Sequence, residues 1–195
     1  LGCTSVICSD KTGTLTVGQM TVRVVATSED ECSVEGEGYR TDGKILRGGC
    51  SVDLLDGDPS CLALRTGVAC STARLIERDG GPQVAGDPTE GALIVAAKKA
   101  GIDQDRLDAD EPLVSSRPFD SERKLMSVVR KTPAGLRSYV KGAPEEILAR
   151  CVSVLRRDGP VGIDPFLIQG IERRNEELAR NGLRVLATAF RPVPE

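Results

Sequence analysis

The 195-residue chain contains no histidine. Ser-His-Asp and Cys-His nucleophile chemistry are therefore excluded, and any catalysis has to run through carboxylates, lysines, hydroxyls or a hard metal ion. A Cys-x-x-Cys pair is also lacking. The seven cysteines (Cys3, Cys8, Cys32, Cys50, Cys61, Cys70 and Cys151) form an odd set, which argues against a zinc site and reads as reduced, buried thiols. No stretch approaches the roughly 20 apolar residues that span a bilayer, and the opening LGCTSVICSDK has neither the basic start nor the apolar run of a signal peptide. Charge of one sign is missing too: 26 Lys and Arg against 29 Asp and Glu leave a formal net charge of −3. No broad field favours nucleic acid or an anionic membrane, and any anion site has to be local. There is no GxxxxGK[ST] phosphate loop. The run Val34 to Tyr39 fails as a dinucleotide fingerprint, because GxGxxG needs glycine where Thr41 stands.

What is present describes a folded, soluble body. Hydrophobic residues make up 39% of the chain, and at about 150 residues per domain the length holds one domain and a fragment of another. Leu1 to Ser9 reads as a strand ending at the charged turn Asp10-Lys11-Thr12-Gly13-Thr14. Strands are expected at 20–27 and 33–40, and then at 112–119, 124–131, 136–141 and 183–190, with 112–119, 124–131 and 136–141 forming one antiparallel ribbon. Asp58-Pro59 and Asp87-Pro88 each pair an N-cap acid with proline at the first helical position, so helices start there; others are expected at 144–151 and 164–181. Glu90 then occupies the third helical position, where its carboxylate can fold back onto the backbone. Strands and helices in mixed order, without strict βαβ alternation, predict an α+β domain with a mostly antiparallel twisted sheet flanked by helices.

The turn at Asp10 puts a carboxylate, a cation, two hydroxyls and a glycine within five residues. An aspartate so placed can attack a γ-phosphate and hold it as an acyl phosphate, while lysine and Mg²⁺ neutralise the transferring oxygens. A capped surface turn is the plainer reading of the same spacing. The full string ICSDKTGTLT, Ile7 to Thr16, resembles the phosphorylation signature of the P-type ATPases, ion pumps that form an aspartyl-phosphate. That resemblance makes Asp10 the phosphorylated residue, Lys11 a stabiliser of the phosphoryl group, and Thr12 a phosphate contact whose carbonyl joins Asp10 at Mg²⁺. Aspartate-nucleophile phosphatases of the haloacid dehalogenase type are the alternative, but they carry a second acid where Thr12 stands.

Four further blocks follow in the family's order. Gly86-Asp87-Pro88-Thr89-Glu90-Gly91-Ala92-Leu93 is similar to the helix-opening block, which implies nucleotide contacts for Asp87 and Thr89 and sets Glu90 against the adenine amino group. Arg117 to Val129 (RPFDSERKLMSVV) is similar to the block in which Phe119 stacks on adenine and Lys124 lies beside the nucleotide. Ser121 stands where some pumps have arginine, so one phosphate contact does not carry over. Lys141-Gly142-Ala143-Pro144-Glu145 resembles the block lining the back of the adenine pocket, and Gly182 to Ala187 resembles the one in which Arg184 reaches the phosphates and Leu186 touches the base. Read without the family, core packing for Phe119 and a cap for Glu90 stand as alternatives to base contact, and Arg184 is a surface charge.

The resemblance divides the chain into 1–16, a stub of the α/β phosphorylation domain and hinge, and 17–195, the nucleotide-binding domain. Its wording is closest to the calcium-pump-like type II group. It implies ATP and Mg²⁺ as cofactors, a monomeric fragment without nucleic-acid partners, and the rest of its own polypeptide (phosphorylation, actuator and membrane domains) as partner. The setting is the cytosolic side of an integral membrane protein. The expectation for residues 1–195 is ATP binding without meaningful turnover, and a non-catalytic nucleotide-binding module is the competing description.

Overall fold

The computed structural model describes residues 18–78 and 80–194. The Asp10 turn, with Lys11 and Thr12, lies outside them.

All strand pairs among the described residues are antiparallel. A first sheet runs β1 (Val24–Ala26), β2 (Glu31–Val34), β3 (Ile45–Arg47) and β4 (Cys50–Ser51) in sequence order. Helix α1 (Pro59–Ala69) follows, then the hairpin β5 (Arg74–Arg78) and β6 (Gly81–Ala85), helix α2 (Pro88–Lys99) and the short α3 (Gln104–Asp110). The main sheet is built from β7 (Leu113–Asp120), β8 (Leu125–Thr132), β9 (Gly135–Gly142) and, after α4 (Pro144–Leu148), the hairpin β10 (Ser153–Arg156) and β11 (Gly159–Gly162) and helix α5 (Pro165–Arg180), the final β12 (Ala187–Pro192). Its order is β12-β9-β8-β7. The α+β architecture is therefore as expected, with the antiparallel ribbon intact.

The differences from the expected elements have local causes. β2 begins two residues before the expected strand and stops at Val34, because Gly36 and Gly38 both take positive φ and turn the chain. β12 starts at Ala187, four residues late, which leaves Leu183 to Leu186 as irregular chain after the Gly182 turn. The two hairpins β5–β6 and β10–β11 and helix α3 were not expected. They are short, the hairpins turning at glycines and α3 made mostly of charged residues, without the apolar run that marked the main sheet. Of the cysteines, Cys32, Cys61 and Cys70 are buried free thiols, but Cys50 is exposed because β4 has no covered face.

The core lies between α1 and α2 and the two sheets: Leu64, Val68 and Ala69 of α1 and Ile94, Ala96 and Ala97 of α2 meet Val25, Cys32, Val34 and Ile45 on one side and Met126, Val128 and Tyr139 on the other. A polar network ties this core to the main sheet. Buried Glu111 accepts from Arg65 at 2.7 Å and from the Tyr139 hydroxyl at 2.5 Å, and Arg130 donates to the Glu111 carbonyl at 2.8 Å and pairs with Asp108 at 2.7 Å. Such a network stabilises because each buried polar group has a partner.

Both helix starts use the expected device. Asp58 accepts from Ser60 N, and Asp87 Oδ1 accepts from Thr89 N at 2.8 Å and Glu90 N at 3.1 Å. Gly91, one step along α2, lies against β6: a Cβ there would meet both Val84 methyls at 2.5 and 2.6 Å. Asp87→Ala removes two hydrogen bonds at an exposed cap and is expected to cost about 1 kcal/mol, a drop in thermal midpoint of roughly 2–4 °C by calorimetry.

Candidate functional site

Two sequence-distant charges meet at one end of the main sheet. Lys141, near the end of β9, pairs with Glu90 on the first turn of α2 at 3.1 Å, and their side chains are only 8% and 12% exposed. Strand alternation turns Lys141 inward, and the Asp87 cap aims the first turn of α2 at it. Glu90 does not fold back on its own helix. Its Oε2 instead accepts from Thr72 N at 2.7 Å, Thr72 Oγ1 at 3.1 Å and Ala73 N at 2.9 Å, all on the connection between α1 and β5. Lys141 Nζ also donates to Ser71 Oγ at 3.3 Å. Burial alone would push the Glu90 carboxyl up, but the Ala73 N–H, the Lys141 ammonium and the Thr72 N–H together hold it below the usual carboxylate range. Beside the pair, burial pushes the Cys70 thiol up to about 12. That thiol is a neutral wall.

Gly142 follows Lys141 and pairs with Leu125 on one side and Ala187 on the other. A Cβ on it would lie 2.5 Å from both Leu125 Cβ and the Lys124 carbonyl oxygen, so the bare backbone is a requirement of the sheet itself.

Lys124 sits across this junction. It is the only non-glycine residue at positive φ among the described residues, at 52°. The turn that holds it starts at Asp120, whose Oδ1 accepts from Glu122 N and Arg123 N, while Lys124 N donates to the Asp120 carbonyl at 2.7 Å. The Arg123 and Glu122 N–H groups hold the Asp120 carboxyl below its ordinary range. Ala143 N in turn donates to the Lys124 carbonyl at 2.9 Å, and the Lys124 ammonium lies 3.9 Å from Glu145. Phe119, immediately before this turn on β7, is 63% exposed. A large aromatic in water is available to a partner ring, and core packing does not account for it.

The remaining candidates are placed less directly. Asp87 is occupied as a cap, and the Thr89 hydroxyl donates to Met20 Sδ at 3.4 Å. Arg184 is exposed and Leu186 half-buried. They lie three residues and one residue ahead of Ala187, whose pairing with Gly142 brings their segment toward the same end of the sheet. Ser71, Thr72 and Ala73 were missed by sequence reasoning, since two of their contributions are backbone N–H groups that carry no residue signature.

A separate cleft of about 620 Å³ lies between the β1–β2 turn and the first half of α5. Arg174 pairs there with Glu31 and the nearby Arg157 with Asp30, while Arg156 on the same wall has no ion pair among the described residues.

The P-type ATPase cytoplasmic domain N family model matches residues 62–195. The chain is 44% identical to a cation-transporting ATPase, pma1, of Synechocystis over 99% of its own length and 22% of that protein. It is 34% identical to a calcium-transporting ATPase of Bacillus subtilis over 99% of itself and 22% of the relative. With the endoplasmic reticulum calcium ATPase srcA of Aspergillus fumigatus it shares 37% identity over 97% of itself and 23% of the relative. The chain thus spans about a fifth of the length of these proteins. Among the described residues no helix is long and apolar enough to cross a membrane.

Proposed function

The chain belongs to the P-type ATPase cytoplasmic N-domain family, and from that premise we propose that it binds ATP at the end of the main sheet and presents the γ-phosphate to Asp10. The observation that carries this reading is the partly water-excluded Glu90–Lys141 pair at the end of the main sheet. An anionic carboxylate accepts hydrogen bonds and cannot donate them, so it suits the adenine 6-amino group. Phe119 supplies the stacking face. Lys124 and Arg184, both exposed, are the cations on the phosphate side, and Asp87 and Thr89 contribute through the position of the α2 first turn. Leu186 closes the base region.

In the intact protein Asp10 receives the phosphoryl group, Lys11 offsets its charge, and Asp10 and Thr12 hold Mg²⁺, which neutralises the transferring oxygens. The relatives' names support a cation, with calcium the closest choice, as the transported species. The remaining domains of such a pump are then this domain's partners, with closure over the hinge bringing ATP to Asp10.

Calorimetric titration with ATP tests the reading. Stacking on an aromatic is worth about 1–3 kcal/mol per base, so Phe119→Ala is expected to weaken ATP by roughly 5-fold to 150-fold. Because Phe119 is exposed, the thermal midpoint should stay within about 2 °C. Unchanged ATP affinity in this variant, or amide shifts on ATP addition confined to the α5 cleft, would refute the site.

A further inference from the structure

Helix α1 and strand β5 are joined by Cys70, Ser71, Thr72 and Ala73, and the last three hold both poles of the Glu90–Lys141 pair. The Ser71 hydroxyl has one proton, which goes to the Gly67 carbonyl at 2.7 Å, so its lone pairs face the Lys141 ammonium. At the other pole Thr72 N, Thr72 Oγ1 and Ala73 N all point at Glu90 Oε2. The connection is itself fixed: Gln104 Nε2 donates to the Ala73 carbonyl at 3.1 Å, and Gly86 leaves no room for a Cβ beside Ala73.

We propose that Thr72 is a specificity-determining positioning residue, whose hydroxyl adds a third donor at Glu90 Oε2 and so fixes the direction in which Oε1 faces the base. The inference rests on the ATP reading above. A carboxylate has about four lone-pair directions. The Thr72 and Ala73 N–H groups and the Thr72 hydroxyl converge on Oε2, and Lys141 takes one direction on Oε1, leaving one acceptor direction there with a fixed orientation. A base with an amino group at that position gains a hydrogen bond; a base with a carbonyl there sets one acceptor against another. Without the Thr72 hydroxyl Oε2 keeps only its two N–H donors, the carboxylate is held in orientation less firmly, and the angular selection weakens.

Thr72 is also separable from the fold. Its residue is exposed, whereas Ser71 and Ala73 are buried, so Thr72→Val keeps the shape and both backbone donors while removing one O–H. The groups facing Glu90 are Lys141 from β9, the Cys70 thiol at the end of α1, the N–H groups of Thr72 and Ala73, and Asp87 at the cap of its own helix. Of these, the variant changes none.

The test compares ATP with inosine triphosphate, which presents a carbonyl at the 6-position and a proton on N1, by titration at about pH 7.5. The native chain is expected to prefer ATP by about tenfold or more, Thr72→Val to reduce that preference to about threefold, and Thr72→Ser to restore it. An unchanged preference in Thr72→Val overturns the inference, provided Phe119→Ala still weakens both nucleotides together. If the native chain binds neither nucleotide, or Phe119→Ala changes nothing, the ATP reading falls and the inference with it.

Discussion

Lys141→Met is expected to lower the unfolding free energy by about 3 kcal/mol at pH 7, because it leaves the Glu90 carboxylate in a largely water-excluded position without its counter-charge. For a chain of this length that is a fall in thermal midpoint of roughly 6–12 °C. The sign of its pH dependence follows from Glu90, whose carboxyl lies below its ordinary value in the folded protein. In the native chain this contribution is present above the ordinary carboxylate value and is lost as pH falls through the lowered one. In the variant the unpaired carboxylate takes up a proton at higher pH, so the two melting curves should converge as pH falls through the lowered native value. Adding Glu90→Gln should recover much of the loss at neutral pH, since the amide oxygen still accepts from Thr72 N and Ala73 N without carrying charge. Equal melting of Lys141→Met and the native chain at pH 7 would show that the pair contributes no net stability.

Gly142→Ala has a comparable effect by a different route. The added methyl falls 2.5 Å from the Lys124 carbonyl oxygen and 2.6 Å from Leu125 Cα. Backbone atoms cannot turn aside as a flexible side chain does, and β9 is held on both edges at this point, by Leu125 and by Ala187. The expected loss is about 3 kcal/mol, read by denaturant unfolding as a lower midpoint at constant slope. Because the clash pushes on Lys124, whose left-handed backbone is already held by the Asp120 turn, ATP affinity should fall as well. Gly162→Ala is the control: nothing lies within 4 Å of its Cβ, and its cost should be within about 0.5 kcal/mol. Similar losses in both variants would rule out close approach as the cause.

The residues that announced themselves in the sequence were those whose work is local. Asp58-Pro59 and Asp87-Pro88 cap helices by contacts within three positions, and the β-branched and apolar runs of β8 and β9 mark strands packed against the core. Elements lacking such a signal went unread. The hairpins β5–β6 and β10–β11 are held by pairing with each other, and α3 is seven residues long. The candidate site divides in the same way. Glu90, Lys141 and Gly142 stand in recognisable blocks, and sequence reasoning left Glu90 between base recognition and a capping box. The structure resolves that local choice against the capping box, because its donors are 17 and 18 residues away along the chain. Nothing in the identity of Ser71, Thr72 or Ala73 reveals that their backbone will be bent around that carboxylate. Arg184 was expected on a strand, yet Gly182 turns the chain and pairing resumes only at Ala187, so Arg184 precedes the sheet.

Strand β7 differs from its neighbours in one respect that bears on motion. All eight of its residues are exposed, and among the described residues it pairs only with β8, whereas β8 and β9 are each flanked on both edges. Amide protons of β8 and β9 should exchange with solvent only when the whole domain opens, while those of β7 exchange through local fraying that leaves the rest intact. Phe119 rides on the fraying strand and Lys141 on the protected one. One wall of the candidate site is thus compliant and the other rigid, so a base can enter by displacing the aromatic side alone, and its departure leaves the Glu90–Lys141 wall as it was.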